Sequence, residues 1–344
     1  LSVFAVALSL AVTSVGMAQQ TSPPEFSDSR AVVYKQIGDV RLKLWLFQPA
    51  DHDPRNDARP AIVFFFGGGW RHGSPRQFET HCRYLASRGI VAATADYRVA
   101  SRHGVTADAC VEDSMSAVRY LRQHAAELGL DPRRIAAGGG SAGGHTACCT
   151  ALIRDLDADD EDTAVSCVPN ALALFNPAVQ LSALDGFGDG GISAEKMADI
   201  ATRTGVPAVQ ISPIHHVRSG LPPTIIFHGQ ADTNVPFATV EEFQRRMLAA
   251  GNRCDLQGFA DAPHGFFNDR RSGDAEGDDR SDQWYRRTLL QLDQFLQSLD
   301  WLKGQATVRV VDQDFVSLRG SLGNSLQRFA VEKTGHVALS LIHI

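Results

Sequence analysis

Apolar and polar residues alternate in "VVYKQIG" and again in "VRLKLWLF", where Leu42, Leu44 and Leu46 share one side, and this period of two predicts a pair of half-buried strands. They are expected to form an antiparallel edge. The next run, "AIVFFF" (Ala61 to Phe66), is apolar throughout and bounded by Pro60 and by glycines, as in a strand covered on both faces. Further short apolar runs follow: "GIVAATADY" from Gly89, "RIAAGG" from Arg134, "ALALFN" from Ala171, "TIIFHG" from Thr224 and "CDLQGF" from Cys254. Between them the period becomes helical. Over Ala107 to Leu128, the residues Cys110, Ser114, Ala117, Val118 and Leu121 fall on one face, and Thr239 to Ala250 and Gln283 to Leu299 read the same way. Strands alternating with helices predict an α/β fold with a mostly parallel central sheet and helices on both faces.

Two segments break the rhythm. The stretch between "ALALFN" and "TIIFHG" holds a Gly/Asp-rich turn, "DGFGDGG", and a helical piece near Ser193 to Thr202. An insertion of that length at the level of the sheet is expected to form a small cap over a site. The acidic run "DLDADDEDT" (Asp155 to Thr163) lacks the turn glycine and distal Glu of a calcium-binding loop, so a solvated surface loop is expected there.

Composition narrows the class. With 344 residues, 44% hydrophobic and 21% charged, the chain can bury a full core as one large domain plus extras. The net charge of −6 comes with no Lys/Arg-rich run, which gives no footprint for nucleic acid or an anionic membrane surface. The six cysteines lack paired C-x-x-C spacing, so no metal is expected. The apolar opening "LSVFAVALSLAVTSVGMAQQ" is too short to span a bilayer and reads as an incomplete signal peptide over 1–18, cleaved after Ala18. Export, to the outside or to a periplasm, would permit disulfides. Cys82 with Cys110 is the pair expected, buried free thiols being the competing account.

The chemistry centres on "RIAAGGGSAGGH". Gly139 to Gly143 spell G-x-S-x-G between a predicted strand and a predicted helix, the setting in which a sharp turn exposes a serine nucleophile, Ser141. A serine hydroxyl needs an imidazole to take its proton, and the imidazole needs a carboxylate to orient it. In the order Ser, Asp, His follow Asp232, just after the "TIIFHG" strand, and His264, in a loop after the last strand. Among the other histidines, His145, His215, His216 and His228, none has that place; Asp261 and Asp269 are the reserve carboxylates. "FFFGGGW" sets bare backbone directly after a buried strand, so the N–H groups of Gly68 and Gly69, with that of Ala142, are the expected oxyanion hole. Trp70 is a candidate wall of the substrate pocket. The mechanism needs an unprotonated imidazole, so turnover should fall in acid.

Taken together, "GGGW", "ADYR" (Ala95 to Arg98), "GGGSAGGH", "HGQADTNVP" and "HGFF" resemble the α/β-hydrolase-fold serine esterases and lipases of the hormone-sensitive-lipase and acetyl-xylan/feruloyl esterase-like group. The resemblance covers roughly residues 30 to 300 and implies hydrolysis of carboxylic esters through an acyl-enzyme, with no cofactor. Short acyl esters are the expected substrates, with acetyl or feruloyl groups on polysaccharides the plausible source. In one respect the chain departs from the pattern: Phe66 stands where relatives carry a histidine that braces the oxyanion loop. The hydrolase domain is expected over 19–304, and 305–344 as an extension resembling the truncated start of an SGNH-type module. A prolyl-oligopeptidase-like peptidase and a non-catalytic ligand-binding scaffold are the alternatives; the first usually carries a large N-terminal propeller, and the second should have lost a triad residue.

Overall fold

The computed structural model describes residues 24–159, 161–269 and 279–310. The expected leader and nearly all of the expected C-terminal extension lie outside them. Among the described residues, eight strands, β1 (Arg30–Ile37), β2 (Val40–Phe47), β3 (Arg59–Phe65), β4 (Val91–Ala95), β5 (Leu130–Gly140), β6 (Ala171–Phe175), β7 (Thr224–Gly229) and β8 (Cys254–Phe259), form one sheet in the order β1-β2-β4-β3-β5-β6-β7-β8. β1 pairs with β2 and β2 with β4 antiparallel; every pairing from β4 across to β8 is parallel. The alternating "VRLKLWLF" therefore does lie at an antiparallel edge, and the uniformly apolar "AIVFFF" in the interior of the sheet.

The described residues hold seven α-helices, α1 (Glu79–Ser87), α2 (Ala100–His103), α3 (Ala107–Gln123), α4 (Ala142–Leu152), α5 (Ala194–Arg203), α6 (Phe237–Ala249) and α7 (Asp279–Ser298), of which α1, α3, α4, α6 and α7 pack on the sheet. Successive side chains of a strand point to opposite faces, and this divides the core in two. Leu44, Leu46, Val63 and Phe65 pack toward α3, α4 and α6, whereas Trp45, Phe47, Ile62 and Phe64 pack toward α1 and α7. Each such burial contributes about 1.5–3 kcal/mol, so β3, in which Ile62 to Phe65 are wholly inaccessible, anchors the sheet.

That division also overturns the expected disulfide. Cys82 on α1 belongs to one apolar layer and Cys110 on α3 to the other, with the sheet between them, and all six cysteines are free thiols. Alternation across the sheet, invisible in cysteine spacing, decides the matter. α3 is also shorter than its periodicity suggested. It stops at Gln123 because the chain turns through Gly129, at φ 62°, and Leu130 donates back to the Ala125 carbonyl at 2.8 Å to enter β5. The acidic run is less free than expected, since buried Arg119 binds Asp157 and Glu161 and donates to the Val165 carbonyl.

The insertion between β6 and β7 holds α5 and two short 3-10 turns, Ala208–Ile211 and Pro213–His216. Ser193 caps α5 by accepting the Lys196 N–H at 3.2 Å. Ile192 and Ile200 of this segment line the same cavity as Ser141, so the insertion covers one side of it.

Candidate active site

β5 runs into α4 through Ser141, whose φ of 54° and ψ of −118° are strained for a residue with a side chain. The glycines around it are required by close approach. A Cβ on Gly143 would lie 2.1 Å from the Phe65 carbonyl oxygen, and one on Gly140 would lie 2.4 Å from the Phe267 ring. Bare backbone lets the start of α4 press against the end of β3. The Ser141 N–H donates to the Phe175 carbonyl at 2.9 Å, and its own carbonyl accepts the His145 N–H at 2.9 Å, so the turn is held from both sides.

Three loops at the same ends of the strands converge on this serine. Ser141 Oγ lies 2.9 Å from His264 Nε2, and His264 Nδ1 lies 2.7 Å from Asp232 Oδ2. The partners set the tautomer: Nδ1–H donates to the carboxylate, which leaves Nε2 to accept the hydroxyl proton. Asp232 Oδ1 accepts the N–H groups of Asn234 and Val235 at 2.8 and 2.9 Å. Burial pushes the Asp232 carboxyl up, but the His264 hydrogen bond and charge, the Val235 N–H and His228 outweigh it and hold the carboxyl below its ordinary range. Asp232 therefore stays an anion. His228, buried behind it, donates from Nε2 to the Val235 carbonyl at 2.8 Å, and burial lowers its proton affinity.

Gly68, Gly69 and Ala142 line the cavity that Ser141 and His264 share. The Gly67 N–H is committed to Gln77 Oε1 at 2.6 Å. Those of Gly68 and Gly69 have no acceptor among the described residues, and that of Ala142 opens α4, where helix geometry leaves it free. Trp70 touches the cavity but is largely buried, with its indole N–H donating to His145 Nδ1 at 3.2 Å. It is as much a peg for the loop as a wall. His145 in turn binds the Ile211 carbonyl at 2.6 Å, and burial pushes its pKa down to about 4. His215 and His216 bond locally within the cap, to Ser212 Oγ and the Val209 carbonyl.

The loop brace that Phe66 cannot supply comes from elsewhere. Tyr97 donates its hydroxyl to the Phe66 carbonyl at 2.5 Å and stacks on the Phe66 ring at 4.1 Å, while Gln77 holds Gly67. The rest of "ADYR" is anchorage: Asp96 pairs with Arg102, and Arg98 grips buried Asp113. Asn176 holds the histidine loop by accepting the Gly265 N–H at 3.0 Å. Gln77 and Asn176 carry no motif, and nothing along the chain marks them as neighbours of Ser141. Among the described residues, no group of three or more His, Cys, Asp or Glu could hold a metal ion, and no helix is long and apolar enough to cross a membrane.

This geometry has known counterparts. The BD-FAE family model matches residues 47–247, and the dienelactone hydrolase family model matches 205–296. Apo esterase 2 of Thermogutta terrifontis is 48% identical and superposes with a TM-score of 0.74 over 82% of this chain and 98% of that one. Carboxylesterase NlhH of Mycobacterium tuberculosis is 27% identical over 77% of this chain and 84% of its own length. A probable isoprenylcysteine alpha-carbonyl methylesterase of Oryza sativa subsp. japonica is 31% identical over 66% of this chain and 54% of its own, so the chain spans about half the length of the plant relatives it matches. With more than half of its residues inside one family model and the sheet order described above, the chain belongs to the BD-FAE family, among the α/β-hydrolase-fold carboxylic ester hydrolases.

Proposed function

We propose that the protein is an exported serine esterase that cleaves short acyl esters through a covalent acyl-enzyme. The observation that carries this reading is the unbroken line from Ser141 Oγ through His264 to Asp232, at 2.9 and 2.7 Å. Ser141 Oγ attacks the ester carbonyl as its proton passes to His264 Nε2, and the carbonyl oxygen becomes an anion facing the N–H groups of Gly68, Gly69 and Ala142. The intermediate collapses, the C–O bond to the alcohol breaks, and His264 returns the proton to the departing oxygen. Water then repeats the sequence on the acyl-serine. Asp232, anionic throughout, balances the imidazolium that forms twice in each cycle.

Short acyl groups are supported by the modest cavity, about 610 Å³, and by its mixed walls of Ile192, Val235 and Phe267 beside Gln77, Gln180 and Asn234. The Thermogutta esterase has been captured with butyrate bound and phosphonylated by sarin. The latter is the chemistry expected of an activated nucleophile. A leader-like opening and the family resemblance support acetyl or feruloyl groups on extracellular polysaccharides as the natural esters.

The test is a panel of p-nitrophenyl acetate, butyrate and palmitate, acetylated xylan, methyl ferulate and aminoacyl p-nitroanilides, with Ser141→Ala alongside. Cleavage restricted to the short and sugar-linked esters, reduced at least ~10³-fold in the variant, is expected. Anilide cleavage would mark a peptidase, and a Ser141 that neither turns over ester nor takes a fluorophosphonate label would mark a binding scaffold.

A further inference from the structure

The cavity around Ser141 is bordered by three cationic side chains, Arg71, Lys196 and Arg203, and by no Asp or Glu among its described lining residues. Lys196 and Arg203 come from the first and last turns of the cap helix α5, and Arg71 follows Trp70 just past the glycine loop. Asp199 is divided between two guanidiniums: it bonds Arg71 at 3.0 Å and also pairs with Arg203. Lys196 has no acidic partner within ion-pair distance among the described residues, and its ammonium rests on the Asn234 carbonyl. Among the cavity's lining side chains, positive charge is therefore not matched by any carboxylate.

Arg203 is the best placed of the three. Its Nη1 lies 3.0 Å from the point a Cβ on Gly69 would occupy, so the guanidinium stands against the glycine loop, and its Nε is buried with no acceptor. Asp199 leaves part of that donor set unused. Burial and the neighbouring Arg71 charge both work against Arg203, which an incoming anion would relieve. An arginine and a lysine bordering the same cavity suit a carboxylate, to which charge-assisted hydrogen bonds are about twice as strong as neutral ones.

Building on the esterase reading, we propose that the site prefers esters that carry a carboxylate away from the scissile bond, with Lys196 and Arg203 as the specificity-determining residues. The carboxylate is the shared chemistry. It can sit on the acyl side, as in half-esters of short dicarboxylic acids, or on the alcohol side, as in a uronic acid acylated on one of its hydroxyls.

Matched pairs separate the two sources. Mono-p-nitrophenyl glutarate against p-nitrophenyl pentanoate tests the acyl side, and 4-acetoxybenzoate against its methyl ester tests the alcohol side. In one pair the anionic member should show a KM lower by about tenfold, and the advantage should shrink with added salt. Lys196→Met and Arg203→Gln should each cost the anionic member about tenfold more than the neutral one. Binding of monomethyl glutarate against dimethyl glutarate to Ser141→Ala, by calorimetry, reads the same preference without turnover and so survives a failure of the esterase reading. Equal binding of that pair, together with no anionic preference in either kinetic pair, overturns the proposal.

Discussion

The strain at Ser141 and the crowding of its glycines belong together. A serine at φ 54° is tolerable only where the backbone on both sides is held, as it is by the Phe175 carbonyl and the His145 N–H. Gly143→Ala would put a methyl 2.1 Å from a carbonyl oxygen that cannot move without moving β3. Its expected cost exceeds about 3 kcal/mol, visible as loss of soluble protein or a large drop in the denaturation midpoint. Gly68 is a poor probe of the proposed oxyanion hole, because a Cβ there would lie 2.1 Å from the His72 carbonyl. Gln77→Leu is cleaner: it removes the acceptor of the Gly67 N–H while leaving Gly68 and Gly69 chemically intact. Turnover should fall about tenfold or more with KM little changed, since a misplaced donor loses part of the ~10²–10³ that one oxyanion contact supplies. An unaltered kcat would exclude Gln77 as a positioning residue.

At the scale of elements, the site depends on loops at one end of a parallel sheet being tied to the helices behind them. Tyr97, just past β4, holds the Phe66 carbonyl at the end of β3, and Arg98 ties the same segment to α3 through Asp113. Tyr97→Phe keeps the ring stack on Phe66 and loses one buried hydrogen bond, with an expected cost of about 1–3 kcal/mol in urea unfolding and a parallel fall in kcat. On the opposite loop, Asn176→Ala frees the Gly265 N–H and should lower kcat by loosening His264. Restoration of the rate by Asn176→Asp, which keeps the acceptor, would separate this role from general destabilisation.

For the whole molecule, the two-layer core has a pH signature. His81 on α1 is fully buried among the rings of Phe64, Phe78, Phe175, Phe267 and Tyr285, and neither ring nitrogen has a partner among the described residues. Burial pushes its pKa down to about 3 against the pull of Asp269. Between the ordinary histidine value of about 6.5 and that folded value, the unfolded chain holds the extra proton. Stability should therefore fall as pH drops through this window, by up to about 1.4 kcal/mol per pH unit. Guanidinium unfolding at pH 7 and pH 5 checks it: His81→Leu should reduce the loss by about 2 kcal/mol. The same loss in both proteins would remove His81 from the account.

What the chain determines by itself is whatever depends on local pattern. Periods of two and of 3.6 mark the strands and helices, and "TIIFHG" and "CDLQGF" coincide with β7 and β8. G-x-S-x-G and the Ser, Asp, His order name three residues that the fold brings within hydrogen-bond reach. The tertiary structure decided what depends on which face and which loop a residue shares. It separated Cys82 from Cys110 by alternating side chains across a sheet, clamped the acidic run onto Arg119, and set Gln77, Tyr97 and Asn176 around a serine far away in sequence. The physical reason is that propensity and spacing act over a few residues, whereas packing and hydrogen bonding in the folded protein act between segments whose order along the chain does not reveal their neighbours.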